Sequence, residues 1–287
     1  YMNLESGSIP SGINYLCGMK VSVIGGGASG FFSAISCKEH HPSHDVTIYE
    51  KSKKVLSKVK ISGGGRCNVT NVEENVKEFA TNYPRGKNQL KKLFGRFGNQ
   101  ETIRWFEDRG VDLVVQEDGC IFPKSQNSQS IIDCLLQECI KLGIKIKTEH
   151  AFDKFEISDD QYQIYFKNQD EVICDTLVFA MGGLPKHSQY HFFEKLGYEI
   201  ETPVPSLFTF NMPNNPITEL MGTVVNPTTV KVQGEKLIDD GPLLITHWGM
   251  SGPAILKTSA WGARILEGLG YQFEIHVNWL NDSKEEA

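Results

Sequence analysis

The apolar positions near the start of the chain form two short blocks with a glycine-rich stretch between them. Val21, Val23 and Ile24 make up the first block, and the segment DVTIYE, beginning at Asp45, contains the second. Short apolar blocks rich in β-branched residues predict buried strands. The glycines between them predict a tight turn into a helix. Residues 20–50 are therefore predicted to form a β–α–β unit.

Two later segments have the apolar spacing of helices. NQETIRWFEDRG predicts a helix with Asn99 as its N-cap and Gly110 as its C′ residue. QSIIDCLLQECIKLG predicts a second helix that ends at Gly143. The residues predicted to share its apolar face are Ile131, Ile132, Leu135, Leu136, Cys139 and Ile140.

The remaining apolar patterns predict strands of two kinds. IKIKT and TLVFAMGG predict single strands, and FEISDDQYQIYFKN predicts a hairpin by its alternation. From about Pro203 the segments FTFNM, GTVV, TTVKVQG and LLITHW are short and separated by Pro, Asn and Gly. They predict a separate antiparallel domain. Its last helix is predicted over GPAILKTSAWGARILEGLG, with Ser251 or Gly252 as the N-cap.

Composition narrows the class of protein. The 287 residues carry a net charge of −6, which speaks against nucleic-acid and anionic-membrane partners. Seven cysteines without a C-x-x-C pair predict neither a disulfide framework nor a metal site, and they favour a reducing cytoplasm. The chain begins with Tyr1, so we expect a fragment in which residues 1–18 are a leader or extension outside the fold.

The first glycine cluster, GGGASG, matches G-x-G-x-x-G after a strand and before a helix. Gly25 would permit the tight turn, Gly27 the approach of a pyrophosphate, and Gly30 close packing of helix on strand. The helix N-terminus offers N–H groups to phosphates. Glu50, 20 residues beyond Gly30, would accept hydrogen bonds from ribose hydroxyls, which favours FAD or NAD over NADP.

A second glycine cluster follows in KVKISGGGRCNVTN. Lys58, Lys60 and Arg66 bracket its three glycines. A backbone without side chains, with cations nearby, can approach the middle of an extended dinucleotide closely. Asn68 can both donate and accept hydrogen bonds, which suits ribityl hydroxyls or the edge of a flavin ring.

The motifs GGGASG, KVKISGGGRCNVTN, DGCIFPKSQ, AMGG and GPLLITHWGMSGPAILK together resemble one family. It is the aminoacetone-oxidase-like FAD-binding flavoproteins, which are related to the bile-acid-inducible flavoprotein. The resemblance covers residues 19 to about 280 and implies an α/β fold: a glutathione-reductase-like Rossmann FAD domain with an inserted antiparallel β-rich domain. It implies that residues 19–200 belong to the FAD domain and 201–287 to an incomplete inserted domain.

The resemblance also implies a cofactor site. The first cluster and Glu50 would hold the ADP half, the second cluster would lie along the flavin half, Phe152 would flank the adenine, and the AMGG segment would pass near the pyrophosphate. Two departures bear on this: LPKHSQYHFFEKLGYE replaces the small residues usual after AMGG, and the family's closing C-terminal segment has no counterpart. The predicted cofactor-binding residues are Gly25, Gly27, Ala28, Ser29, Gly30, Glu50, Lys51, Lys58, Gly63, Gly64, Gly65, Arg66, Cys67, Asn68, Phe152, Ala180 and Gly182.

The resemblance implies an FAD-dependent oxidoreductase that transfers hydride between the flavin and a small organic substrate. NAD(P)H would be a transient co-substrate, because no second strand–GxGxxG–helix unit is present. Two alternatives stay open: an RNA-modifying flavoprotein, against which the acidic balance speaks, and a non-catalytic FAD-binding fragment. The substrate, the choice between oxidase and reductase and the oligomeric state stay open too, and no nucleic acid, membrane or metal is expected.

Two side chains are catalytic candidates. Cys67 beside Arg66 could be a redox partner with a lowered pKa, but we favour a small residue that packs under the glycine loop. His247 could act as an acid or base, or could be a hydrogen-bonded residue at a strand end.

Two basic segments of the sequence are interpreted as solvated surface, apart from one or two phosphate contacts in the first. They contain Lys51, Lys53, Lys54, Lys58 and Lys60, and Arg85, Lys87, Lys91, Lys92 and Arg96.

Overall fold

The computed structural model describes residues 18–184 and 186–280. They divide into two compact units: unit 1 with residues 18–82 and 87–183, and unit 2 with residues 83–86 and those from 184 onwards. The predicted boundary at residues 200–201 stays a prediction, and the predicted leader lies, except for Gly18, outside the described residues. Within these two ranges no helix combines the length and the apolar character needed to cross a bilayer.

Unit 1 contains ten strands and six helices among its described residues. Its strands are β1 Lys20–Ile24, β2 Asp45–Tyr49, β3 Thr70–Asn71, β4 Leu113–Val115, β5 Cys120–Pro123, β6 Lys145–Lys147, β7 Phe152–Ser158, β8 Gln161–Phe166, β9 Glu171–Cys174 and β10 Thr176–Phe179. Its helices are α1 Ala28–His40, α2 Ser57–Gly65, α3 Val76–Thr81, α4 Lys87–Phe94, α5 Asn99–Glu107 and α6 Gln129–Lys141.

The central sheet of unit 1 is parallel, with the strand order β10–β1–β2–β6. Val21 pairs in register with Val46 on β2 and with Thr176 on β10. The chain passes from β1 to β2 through α1, so the predicted β–α–β unit is confirmed. Parallel strands leave the glycine turn after β1 at the carboxyl edge of the sheet, where ligands of such folds bind.

Both faces of this sheet carry apolar side chains. Val23 and Ile48 on one face belong to a buried cluster with residues of α1 and α6, among them Phe31. Ile24 and Tyr49 belong to a second cluster, which the antiparallel sheet β7–β8–β9 completes. The predicted hairpin is therefore confirmed as β7 and β8. A further small sheet has the order β3–β5–β4 and supports the second glycine cluster.

Two details of the predicted helices are wrong. The N-cap of α5 is Gly98, because the side chain of Asn99 is buried and donates to the carbonyl oxygens of Asn71 and Glu73 instead. On α6, Ile140 is exposed, whereas Glu138 is buried. Glu138 can occupy this position because its Oε2 lies 3.3 Å from Nε of Arg109.

Unit 2 is built on an antiparallel sheet with the order β11–β14–β13–β12–β15. Its elements are β11 Phe210–Asn211, β12 Val224–Val232, β13 Ile238–Thr246, β14 Gly249–Ser251, β15 Ile275–Asn278, α7 His191–Glu194, α8 Pro253–Trp261, α9 Ala263–Gly268 and 3₁₀ turns at His187–Tyr190 and Pro216–Leu220. The predicted α/β class with an additional antiparallel β-rich part is confirmed.

Two predicted elements of unit 2 differ in extent. GTVV and TTVKVQG lie on one strand, β12, because its pairing with β13 resumes after a shift between Val225 and Thr228. The predicted last helix is two helices, α8 and α9, that meet at Gly262. A Cβ on Gly262 would lie 2.1 Å from Cδ2 of Leu237, so the close approach of that leucine requires a glycine at the junction.

Candidate functional site

Two glycines of the first cluster are required by the protein's own packing. Gly25 has φ +116° and donates its N–H to the Tyr49 carbonyl at 2.8 Å. A Cβ on Gly25 would lie 2.3 Å from the Ala180 carbonyl oxygen, and one on Gly30 would lie 1.9 Å from the Gly25 carbonyl oxygen. These contacts fit the turn and the helix–strand packing that the motif predicts.

Gly27 differs from both. It is the N-cap of α1, its φ of −90° suits any residue, and a Cβ there would meet nothing within 4 Å. Ala28 and Ser29 follow it and are exposed. The first-turn N–H groups of a helix have no intrahelical partner and carry partial positive charge. The space over Gly27 therefore fits a phosphate group brought close to the backbone.

Glu50 lies at the end of β2 beside this loop. Its Oε2 accepts from the Gly26 N–H at 2.8 Å, and its Oε1 accepts from the N–H and hydroxyl of Ser52 at 2.9 and 2.8 Å. A carboxylate has about four acceptor positions. Glu50 thus stabilises the glycine turn, and its carboxylate can still accept a hydrogen bond from a hydroxyl group. Ser52 is not among the predicted site residues, because hydrogen bonds between a serine and the nearby chain leave no periodic signal in the sequence.

The AMGG segment returns to the same edge of the sheet. Ala180 donates its N–H to the Ile24 carbonyl at 2.8 Å, next to the first glycine turn. Gly182 has φ +75°, and a Cβ there would lie 3.8 Å from Nζ of Lys58. The structure therefore brings Lys58 and the AMGG segment together, whereas Lys51 is simply exposed beside Glu50.

The second glycine cluster ends α2 in an unusual backbone conformation. Gly63, Gly64 and Gly65 follow one another with φ of +54°, +68° and +85°. The Cys67 N–H closes the turn by donating to the Ser62 carbonyl at 3.0 Å. Three consecutive left-handed residues are tolerated well only by glycine.

A distant segment, 120–128, holds this turn in place. Phe122 lies so close that a Cβ on Gly63 would be 2.9 Å from its Cε1. Ser128 is fully buried and donates its N–H to the Gly65 carbonyl and its hydroxyl to the Lys60 carbonyl, both at 2.8 Å. Phe122 belongs to the motif DGCIFPKSQ and Ser128 lies two residues beyond it, but the sequence alone did not predict this supporting role.

Arg66 is fixed without an acidic partner among the described residues. Its guanidinium carbon lies 4.3 Å from the centroid of the Phe122 ring. Its Nε donates to the Gly63 carbonyl and its Nη1 to Oε1 of Gln126, both at 3.3 Å. The charge is therefore positioned but not neutralised, as a contact with an anionic group requires. Asn68, two residues later, is exposed.

Two cysteines lie at this loop. Cys67 is buried, has φ +65°, and belongs to the apolar cluster of Leu56 and Val59, which fits the packing interpretation. Cys120 was missed and is half-buried. Burial and Asp118 raise its pKa, while the Asn68 side chain and the charge of Arg66 oppose that increase. A redox role for Cys67 stays a hypothesis.

Two further residues predicted from the sequence lie outside the two glycine clusters. Phe152 begins β7, where its ring packs edge-on against Phe179 at 5.3 Å. His247 is exposed in the turn between β13 and β14 of unit 2, with its ring 4.3 Å from Trp248. Their proposed roles stay predictions. No group of residues able to hold a metal ion occurs within ranges 18–184 and 186–280.

Comparison with known proteins gives a family match and several relatives. Residues 19–255 match the family model of the HI0933-like protein Rossmann domain. The chain is 29% identical over 248 residues to a ribosomal RNA dihydrouridine synthase of Haemophilus influenzae, covering 83% of this chain and 60% of that one. It is 26% identical over 272 residues to a 3-dehydro-bile acid delta(4,6)-reductase of Clostridium scindens, covering 91% and 64%.

The chain thus spans less than two thirds of the length of these curated relatives. Among solved structures, it resembles the open conformation of a flavocytochrome c3 fumarate reductase with a TM-score of 0.49 and 18% identity. That match covers 74% of this chain and 47% of the other.

Proposed function

Because the chain belongs to the HI0933-like family of FAD-binding Rossmann proteins, we propose that it carries the FAD site of an oxidoreductase acting on an organic substrate. The resemblance expected from the motifs is confirmed by the family match. The single observation that carries the proposal is the open space over Gly27 at the N-terminus of α1, next to the turn that the Glu50 carboxylate holds.

The described residues fit this cofactor. The first-turn N–H groups of α1 would bind its pyrophosphate, with Lys58 available to a phosphate oxygen. Glu50 would accept a hydrogen bond from a ribose hydroxyl. Arg66 and the N–H groups of the left-handed glycines would stabilise negative charge near the flavin half. FAD, when bound, supplies the hydride chemistry, and these residues bind and orient it.

The relatives' names indicate one reaction class. A delta(4,6)-reductase and a dihydrouridine synthase both reduce a carbon–carbon double bond conjugated to a carbonyl group. We propose the same class here: the double bond gains a hydride on one carbon and a proton on the other, and NAD(P)H supplies the electrons. The expected small organic substrate would then be an enone.

RNA is the second candidate substrate. The Haemophilus influenzae relative is named for its action on ribosomal RNA, whereas the net charge of −6 predicted no nucleic-acid partner. Location in the cytoplasm stays a prediction that rests on cysteine usage.

The first test is the visible spectrum of the purified chain, with mass spectrometry of what it releases on denaturation. We expect the absorption of bound FAD, and its bleaching by NADH or NADPH without oxygen. Gly27→Ala is the matched variant: it should fold normally but bind FAD about tenfold to a hundredfold more weakly, because the new methyl group occupies the phosphate space.

A chain that stays colourless after incubation with FAD, or a Gly27→Ala variant with unchanged FAD affinity, would contradict the proposed site. Bound FAD that neither nicotinamide reduces would support the alternative of a non-catalytic FAD-binding fragment. Reoxidation of the reduced flavin by a steroid enone or by uridine-containing RNA separates the two substrate classes.

A further inference from the structure

Helix α4 and the turn after it carry a basic surface that the FAD site does not use. We define the α4 basic surface as Lys87, Lys91, Lys92 and Arg96 with the neighbouring Leu93 and Phe97. All six side chains are exposed. All lie in unit 1, and the ring of Phe97 packs 5.0 Å from that of Phe32 on α1, four residues beyond the start of that helix.

The positive charge of this surface is not offset locally. No Asp or Glu occurs between Phe79 and Gln100, although the whole chain has 35 acidic and 29 basic residues. None of the ion pairs in the described ranges involves the four cations of the surface. Lys87 and Lys91 are four positions apart on one helix, where like charges destabilise it. Because the arrangement opposes the stability of α4, it is better explained by an anionic partner than by solvation alone.

The apolar part of the surface is small. Leu93 is 58% and Phe97 39% exposed, while Phe94 of the same helix packs 4.9 Å from Phe79. An interfacial membrane helix needs a broad unpacked apolar face. α4 has eight residues, and its other apolar side chains, Leu90 and Phe94, are partly buried. An anionic polymer with planar aromatic groups therefore fits this combination of cations and a small apolar area better than a lipid surface does.

We propose that the α4 basic surface binds single-stranded or looped RNA, with its cations on the phosphates and Phe97 on a base. Lys and Arg bind backbone phosphates, and exposed aromatic rings stack on unpaired bases. The inference rests on the second substrate class of the proposed function and identifies the surface that would recognise it. It also reverses the interpretation of this segment as a solvated helix face.

The test compares the intact chain with two fourfold variants that change the net charge equally, from −6 to −10. The surface variant carries Lys87→Gln, Lys91→Gln, Lys92→Gln and Arg96→Gln. The control variant removes four other exposed lysines: Lys167→Gln, Lys186→Gln, Lys195→Gln and Lys236→Gln. Binding of a fluorescein-labelled RNA hairpin with a uridine loop is measured by anisotropy over a salt series.

We expect the surface variant to bind the RNA at least about tenfold more weakly at moderate salt and to lower the log–log salt slope by about 3. The RNA affinity of the control variant should stay within about twofold of the parent's, because the charges that it loses act on the RNA only at long range. A third variant with Lys87→Arg, Lys91→Arg and Lys92→Arg should bind like the parent. Circular dichroism melts of all variants establish that each is folded.

Equal RNA affinity of the surface and control variants would overturn the proposal, as would absence of RNA binding by the parent. Binding of the parent to phosphatidylserine vesicles but not to RNA would overturn it in favour of a lipid surface. The FAD spectrum of the same samples keeps the proposals separate. If the chain retains FAD but does not bind RNA, only the proposed RNA surface is contradicted. If it binds RNA but not FAD, the proposed function is contradicted.

Discussion

The two glycine clusters of unit 1 use the same residue for different reasons. In the first, Gly25 and Gly30 occupy positions where any Cβ would strike neighbouring backbone, and Gly27 faces open space. In the second, Gly63, Gly64 and Gly65 all adopt left-handed backbone, and only Gly63 is crowded, by Asn68 and Phe122. Gly25, Gly30 and Gly63 are thus required by the packing of the fold, whereas Gly27 is not, which leaves it available for the ligand contact that we propose.

The clusters also differ in what holds them. The first is fixed mainly by neighbouring parts of the chain, β1, α1 and the end of β2, as the bond from the Gly26 N–H to Glu50 shows, and Ala180 of the AMGG segment packs against it. The second is held by Ser128, whose hydroxyl donates to a carbonyl 68 residues earlier in the chain. The stability of the first cluster should therefore depend mainly on substitutions within the turn itself. The stability of the second should depend equally on substitutions in the distant segment that supports it.

The largest effect is expected for Gly30→Ala. The new Cβ would lie 1.9 Å from the Gly25 carbonyl oxygen, so β1 and α1 must move apart. We expect the free energy of unfolding to fall by about 3 kcal/mol, at the upper end of overpacking costs. Urea unfolding measures it, with Gly27→Ala as the control, which should lose at most about 1 kcal/mol because it changes only the N-cap residue of α1. Similar losses in both variants would remove the distinction between packing glycines and ligand glycines.

Gly63→Ala and Gly64→Ala sharpen the comparison within the second cluster. Both place a Cβ on left-handed backbone, which costs about 1–2 kcal/mol. Gly63→Ala must also displace the Phe122 ring, so its loss of unfolding free energy should exceed that of Gly64→Ala. Denaturant titrations of the two variants test the order. A larger loss for Gly64→Ala would mean that Phe122 moves easily and does not support the loop.

Ser128→Ala tests the distant support. It leaves the Lys60 carbonyl without the hydroxyl donor of the buried Ser128, and we expect a loss of about 1–2 kcal/mol of unfolding free energy. Ser125→Ala, in the same segment but exposed, is the control. Hydrogen exchange should show faster opening of residues 60–67 in the first variant alone. Unchanged exchange there would show that the second cluster is held without Ser128.

The difference between the clusters also explains how far the sequence could predict this molecule. The first site follows from strand, turn and helix in order, so the turn of Gly25 and the packing of Gly30 are where the pattern predicts them. The support by Phe122 and Ser128 depends on which distant segments of the chain come into contact. The hydrophobic pattern of one sequence predicts local elements but not those contacts. Asn99 illustrates the same limit, because a tertiary contact displaced it from the cap its local preference predicts.

The smallest effect is expected for Cys67→Ala, at the end of the second cluster. The thiol is buried in the apolar cluster that includes Leu56 and Val59, so its removal should lower the free energy of unfolding by about 1 kcal/mol. If packing is its role, the rate at which NAD(P)H bleaches the bound flavin should not change. Stopped-flow absorbance measures that rate, with Cys37→Ala on α1 as the control. A rate loss of tenfold or more in Cys67→Ala alone would make the thiol a participant in the chemistry and the second cluster a catalytic element rather than a binding one.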